Sequence, residues 1–345
     1  MVGEGDSDNV SPVNVDLHYK NIASSKESID PTPSVLSIED LPEWYDEKLF
    51  KKGQEYVRRN MFSITAAQFM GLLSVFTLPA TLDVLLFTKQ SSSPCAAFKR
   101  YLQTMIHVHT LHLENIKNPD SKWWKSLNTI RWKHATMSKK SGEKGIGQIP
   151  QHDMVLTQFG FIGYVLLNSK QLGFSNDPEL LEGFVHLWRV VGYLLGIPNK
   201  LNLCRKNVPE TTELCKRVLT NSLVDYINKM SEECKTMTKT VVDGFWYIDI
   251  GIDYDTTMRL WYDLHGLKYE KVMNWSSQMN YSIRKSIFYL LGVPYIQHLV
   301  RYLVNCSVKI TLWSGEYFPI LAWTKWGYEK ATIKLYPIPL KKKSS

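Results

Sequence analysis

Two histidines, His134 and His152, stand on either side of a basic, glycine-bearing loop, and the second opens the almost uncharged run "MVLTQFGFIGYVLL". An imidazole entering an apolar cavity from a helix is how many proteins hold haem iron. Gly160 and Gly163 on the same predicted helix leave room for a flat group lying close, with Phe159 beside them. Arg131 and His134 are three residues apart and share a face of the preceding helix. From there Arg131 and the loop lysines could neutralise carboxylates such as propionates. The commoner explanation, a satisfied capping or core histidine, stays open for His134 and His152 alike.

The run "HVHTLH" holds His107, His109 and His112. On a helix His109 and His112 share a face, whereas His107 and His109 diverge by about half a turn. Neither the HExxH spacing of zinc proteases nor paired Glu-x-x-His motifs for di-iron occur, so a histidine-bearing helix face competes with a metal site here. His186, His265 and His298 are isolated, and His18 lies in the N-terminal stretch. The five cysteines are scattered without a CxxC, which argues against a disulfide framework and a cysteine zinc site. A reducing compartment fits them.

The elements that must position these residues read as helices. "LPEWYDEKLFKKGQEYVRRN" has Pro42, Glu43 and Asp46 at its start and arginines at its end, as the helix dipole favours. From Phe62 to Phe87 the only charge is Asp83. That is long enough to cross a bilayer, which takes ~20 apolar residues. Pro79, Ser63, Gln68 and Asp83 favour two buried helices meeting at the proline. "PQHDMVLTQFGFIGYVLLNSKQLG" is hydrophobic nearly all round and hence central. "NDPELLEGFVHLWRVVGYLLGIP" carries Phe184, Leu187, Trp188, Val191 and Leu195 at helical spacing and stops at Gly196 and Pro198. The pattern predicts an all-α chain: a disordered tail over 1–36, a helical domain over 37–310, and a basic, aromatic segment over 311–345.

Of 345 residues 44% are hydrophobic and 12% aromatic, including 11 Trp and 18 Tyr, which suits a large core with ring-lined walls. The net charge of +8 and pI near 9.0 suggest an acidic partner. No nucleic-acid module is recognisable, so anionic lipid or an anionic cofactor is the better candidate. The polar start "MVGEGDSDNV" does not have the form of a secretory signal.

In order along the chain, "LPEWYDEKLFKKGQEYV", "FKRYLQT", "IRWKHATM", "IPQHDMVLTQFGF" and "LWRVVGYLLGIP" resemble one oxygenase family. It joins bacterial latex-clearing rubber oxygenases with fungal endoplasmic-reticulum oxygenases of mycophenolic acid biosynthesis. The resemblance runs from about Leu41 to Pro198 and is most specific in Trp188-Arg-x-x-Gly-x-x-x-Gly-Ile-Pro and Gln151-x-Asp-Met-x-x-Thr. It implies a globin-like, all-α core holding haem b through a proximal histidine, with a distal arginine handling dioxygen. Carried onto this chain, Arg131 matches that arginine, His134 approaches the distal side, and His152 is the candidate iron ligand. Phe159, Gly160, Gly163 and Trp188 become pocket residues. Gln103 replaces an acid found in many members and Ala135 a threonine of the rubber oxygenases, which implies altered oxygen chemistry or lost activity.

The function so implied is a haem-dependent oxygenase attacking an alkene of a hydrophobic, isoprenoid or lipid-like, substrate with dioxygen. The alternative is a non-catalytic helical protein binding lipid or protein at a membrane. It draws on the Phe62–Phe87 run and on a C-terminal stretch whose aromatic residues suit headgroup depth. Lys342-Lys343-Ser344-Ser345 has the form of a dilysine retrieval signal. The expected place is the cytoplasmic face of the endoplasmic reticulum, by peripheral contact, or the cytoplasm.

Overall fold

The computed structural model describes residues 12–32 and 34–336. The elements are α1 (Pro12–Ser24), α2 (Glu47–Arg59), α3 (Met61–Phe76), α4 (Pro79–Thr88), α5 (Pro94–Leu113), α6 (Lys122–Glu143), α7 (Gln151–Leu167) and α8 (Pro178–Leu194). They continue as α9 (Val208–Val218), α10 (Val224–Asn228), α11 (Glu232–Phe245), α12 (Tyr254–Leu264), α13 (Trp275–Leu290), α14 (Ile296–Tyr317), α15 (Ile320–Trp326) and α16 (Tyr328–Ala331). No strand occurs among the described residues; a lone bridge joins Ser28 to Pro150. The all-α expectation holds.

Local signals set the boundaries. Asp46 caps α2 by accepting from the Leu49 amide at 2.9 Å, so the helix opens at Glu47, after Pro42. Ser93 and Asp177 cap α5 and α8, each with proline at the first turn, where a missing N–H costs nothing. Gly196, at φ +98°, ends the α8 region in a conformation that favours glycine. Helices α3 and α4 meet at 95° beside Pro79, as expected for a broken buried pair. No single helix among the described residues is long and apolar enough to cross a membrane.

Three helix pairs carry the core, and each crosses at glycine. A Cβ on Gly53 of α2 would overlap the Gly183 carbonyl of α8. One on Gly71 of α3 would overlap Gly160 of α7, and one on Gly244 of α11 would meet the backbone of α5 at Pro94. Backbones this close exclude side chains from the crossing and gain dispersion contacts instead. Buried polar groups then fix the register. Gln158 Nε2 on α7 donates to the Trp188 carbonyl of α8 and to Asn202 Oδ1, both at 3.0 Å. A chain of hydroxyls and rings, Trp261–Ser74–Tyr164–His265, ties α3, α7 and α12.

The tail boundary needs correction. Residues 12–24 form a helix with Val15 and Ile22 buried, and His18 Nε2 lies 3.0 Å from the Asn202 carbonyl. The stretch looked disordered because its apolar residues are few and its partners, α7 and α9, lie more than a hundred residues away. Residues 1–11 and the dilysine lie outside the described residues. The boundary at 310/311 falls inside α14, so the C-terminal segment is helical as far as Ala331, apart from short breaks, and continuous with what precedes it.

Candidate functional site

Helices α3, α5, α6, α7 and α8 surround a cavity of about 1310 Å³. Its walls are mostly apolar. Phe161 and Trp188 stack at 4.4 Å and 20° to form a flat panel. The helix face that α7 presents is Asp153, Met154, Thr157, Gly160 and Phe161, a spacing of one side of a helix. Asp153, Met154 and Thr157 with Trp188 and Gly192 belong to the two sequence motifs singled out above. The motifs also touch directly: Gln151 Nε2 donates to the Gly196 carbonyl at 2.9 Å.

His134 lines the cavity as expected, and so do Gly160 and Trp188. His152, Phe159 and Gly163 do not. These three fall on one stripe of α7, about 100° round from the lining stripe, and the structure therefore places them together but on the wrong side. His152 Nδ1 lies 3.3 Å from Asp153 Oδ1, while Asp153 reaches the cavity and accepts from Thr81 at 2.6 Å. A Cβ on Gly163 would meet the Phe159 ring, so this glycine makes room for its own neighbour. Arg131 is also absent from the lining. Its Nη1 donates to the Leu194 carbonyl at the end of α8, while Trp132, Lys133 and His134 turn inward.

What sequence reasoning undervalued is α5. His107, His109 and His112 all line the cavity. His112 is buried, its ring edge-on to Trp188 at 5.4 Å, and its Nε2 has no hydrogen-bond partner. His134 Nδ1, Gln68 Nε2 and Trp188 Nε1 are likewise buried without partners. Burial pushes the His112 imidazolium down to about 3. It pushes His134 down to about 4, with the nearby charges of Arg100, Lys133 and Arg131 adding to the effect. Both rings are neutral at pH 7 and keep a lone pair for a ligand. His107 is buried as well, its Nδ1 3.1 Å from the Ser126 hydroxyl and its Nε2 without a partner, whereas His186 Nε2 accepts from the Asp46 amide at 3.1 Å and His265 lies 2.8 Å from the Tyr164 hydroxyl.

The displaced titrations have a consequence for stability. His112, His134, His186 and His265 charge in the fold only near pH 3–4, yet near ~6.5 in an unfolded chain. Between those values the unfolded chain binds protons that the fold refuses, so stability falls as pH drops from 6.5 towards 4 and is fully present above 6.5. Thermal melts should be flat from pH 8 to 7 and lose several degrees by pH 5. A melting temperature equal at pH 7 and 5 would show that these rings are solvated.

Among the described residues no three His, Cys, Asp or Glu side chains gather to hold a metal ion. A metal that arrives with most of its ligands already attached, as iron does in a porphyrin, needs no such cluster. The flat panel, the unpartnered imidazole nitrogens of His107, His112 and His134 and the cavity's size fit that group.

No family model and no curated protein matches the sequence. A solved structure, latex clearing protein in the closed state, matches with a TM-score of 0.57. The match covers 88% of this chain and 85% of that one at 12% identity. This chain shares that fold. The overlap takes in most of the helices described above and extends past Pro198, where the sequence resemblance ends.

Proposed function

We propose that this protein is a haem-dependent oxygenase acting on a hydrophobic, isoprenoid or lipid-like alkene in the cavity bounded by α3, α5, α6, α7 and α8. The observation that supports it is a large apolar cavity bearing unpartnered, neutral imidazole nitrogens, within a fold shared with latex clearing protein. His112 Nε2 is the iron ligand in this reading, in place of His152. Bound haem b would supply an iron centre for dioxygen chemistry at an alkene carbon. His134 and Gln68 then offer hydrogen bonds from neutral groups into the cavity, and a neutral donor polarises oxygen without adding a mobile charge. Phe161, Trp188 and the aliphatic residues of α3 exclude water and hold the hydrocarbon. The purified protein should be red-brown with a Soret band; a colourless protein that takes up no added haemin would overturn the reading.

A second reading concerns where the protein works, and α14 favours it. Leu299, Leu303, Ile310, Trp313 and Tyr317 are exposed and spaced three, four or seven apart along one face. Val308, Leu312 and Gly315 pack the other face against the core, Gly315 directly on Leu102. Phe318 continues this surface, its ring 5.5 Å from that of Trp313, and Trp275, Met279 and Ile320 are exposed as well. Residues 275–345 hold ten Lys and Arg against two Glu, which accounts for the whole +8 of the chain. Aromatic rings with lysines suit an anionic membrane surface, where each basic residue contributes ~1 kcal/mol. We therefore propose peripheral membrane contact through this face. The protein should float with phosphatidylserine-containing vesicles at physiological salt and poorly with phosphatidylcholine alone. An Ile310→Ser/Trp313→Ser variant should lose flotation. Equal recovery of wild type and variant in the soluble fraction would rule the contact out.

A further inference from the structure

Five cations line the same cavity: Lys99 and Arg100 on α5, Lys133 on α6, and Lys330 and Lys334 at and after α16. Elsewhere on the molecule many basic side chains are ion-paired, as in Lys52–Glu179, Arg59–Asp177, Lys200–Glu27 and Arg284–Asp249. None of the five makes an ion pair among the described residues. Arg100 donates to Thr88 Oγ1 at 3.2 Å and lies 5.6 Å from the Tyr101 ring centre, contacts that leave its charge uncompensated. The carboxylates on the lining are Asp153, engaged by Thr81, and Glu329, exposed beside Lys330 and without an ion pair among the described residues.

The cations are held on one side of the cavity. Cys95 Sγ contacts the Lys330 carbonyl at 3.8 Å and Gln103 Nε2 donates to the Lys334 carbonyl at 3.0 Å. These bonds seat residues 330–334 against the same α5 face that carries Lys99. Lys330 and Lys334 are exposed, Lys99, Arg100 and Lys133 half-buried, so the set runs from the solvent side inward. Beyond it lie aliphatic and aromatic walls. Burial lowers Lys133, and neighbouring Arg100 lowers it further, a cost that a bound anion would offset.

We propose that the cavity takes an anionic amphiphile, its carboxylate or phosphate head held by Lys99, Arg100, Lys133, Lys330 and Lys334 and its hydrocarbon body against the apolar walls. This rests on the cavity being the substrate site and names the class of substrate; it does not rest on haem. A neutral hydrocarbon would fill the walls but leave the cations facing one another. A long-chain acid or prenyl phosphate satisfies both ends, and its head anchors the chain so that one double bond is presented at a fixed depth.

The test is competition against a fluorescent fatty acid on the full chain, as purified and after haem extraction, with ligands below their micellar concentrations. Oleate and oleyl phosphate should each displace the probe at least tenfold better than oleyl alcohol, with the margin shrinking as salt rises. Which of the two binds tighter separates a carboxylate from a phosphate head. Lys330→Gln/Lys334→Gln, at exposed positions, should cut the margin without changing the affinity for oleyl alcohol. Equal affinities for acid and alcohol in wild type would overturn the proposal. So would a lysine variant that loses Soret absorbance while the acid-to-alcohol ratio stays near one, because the cations would then serve haem carboxylates. A colourless protein that still prefers oleate would sink the haem reading and leave this one standing.

Discussion

The His112→Ala variant is expected to fold, by circular dichroism and melting temperature, and to purify without a Soret band. His112 is a buried imidazole whose Nε2 has no protein partner, and of the cavity histidines it is the one set edge-on to Trp188 of the Phe161–Trp188 panel. Loss of a residue that merely supports a metal ligand weakens metal binding by ~10–100-fold, and loss of the ligand itself should exceed that. Added imidazole should restore the band if the variant's cavity is intact, which separates a lost ligand from a damaged fold. His152→Ala is the matched control and should keep full haem, since His152 faces Asp153 and not the cavity. A full Soret band in His112→Ala together with its loss in His134→Ala would move the ligand to α6. Retention in both would end the assignment to either.

The contrast between His112 and His152 shows what the sequence could and could not tell. Helix limits were legible because caps and breakers act locally: Asp177 with Pro178 opens α8, and Gly196 closes its region. That α7 is central was legible from its all-round hydrophobicity. The same property hid which of its faces lines a cavity, because a helix apolar on every side has no polar stripe to mark the outside. His152 sits at that helix's mouth, and a rotation of one residue puts Asp153 on the cavity in its place. The α5 histidines were legible as a cluster but were discounted for lacking carboxylate companions. That criterion suits a metal bound by protein alone and not one carried in a porphyrin. The cations were beyond reach of the sequence, since Lys330 comes to the α5 face that carries Cys95 and Lys99 only through tertiary packing of α16 on α5. Helix α1 was missed for a similar reason: its burial depends on distant α7 and α9, not on its own pattern.

Gly71→Val should be among the most damaging single substitutions in the core. Gly71 of α3 lies against the Gly160 backbone of α7, and a Cβ there would overlap the Gly160 carbonyl. The neighbour is main chain, with no flexible side chain to swing aside, so the helices must separate. Overpacking a core costs ~1–3 kcal/mol and occasionally more, and a backbone obstacle places this case at or above the upper end. For a chain of this size the melting temperature should fall by about 5 °C or more. Gly71→Ala should show the same effect in smaller measure, because the first added carbon already collides. Gly292→Ala, where a Cβ would find only the Tyr289 carbonyl at 3.4 Å, should stay within ~0.5 kcal/mol of wild type. The crossing also sets the cavity: Gly71 and Gly160 both line it, and α7 carries Asp153, Met154 and Thr157 on the same stripe. Separation of α3 from α7 would therefore shift the wall as well as weaken the core. Haem-loaded Gly71→Ala should show a displaced or broadened Soret band even at temperatures where it remains folded. A Gly71→Val protein with wild-type melting temperature and spectrum would mean that the two helices do not cross at these glycines.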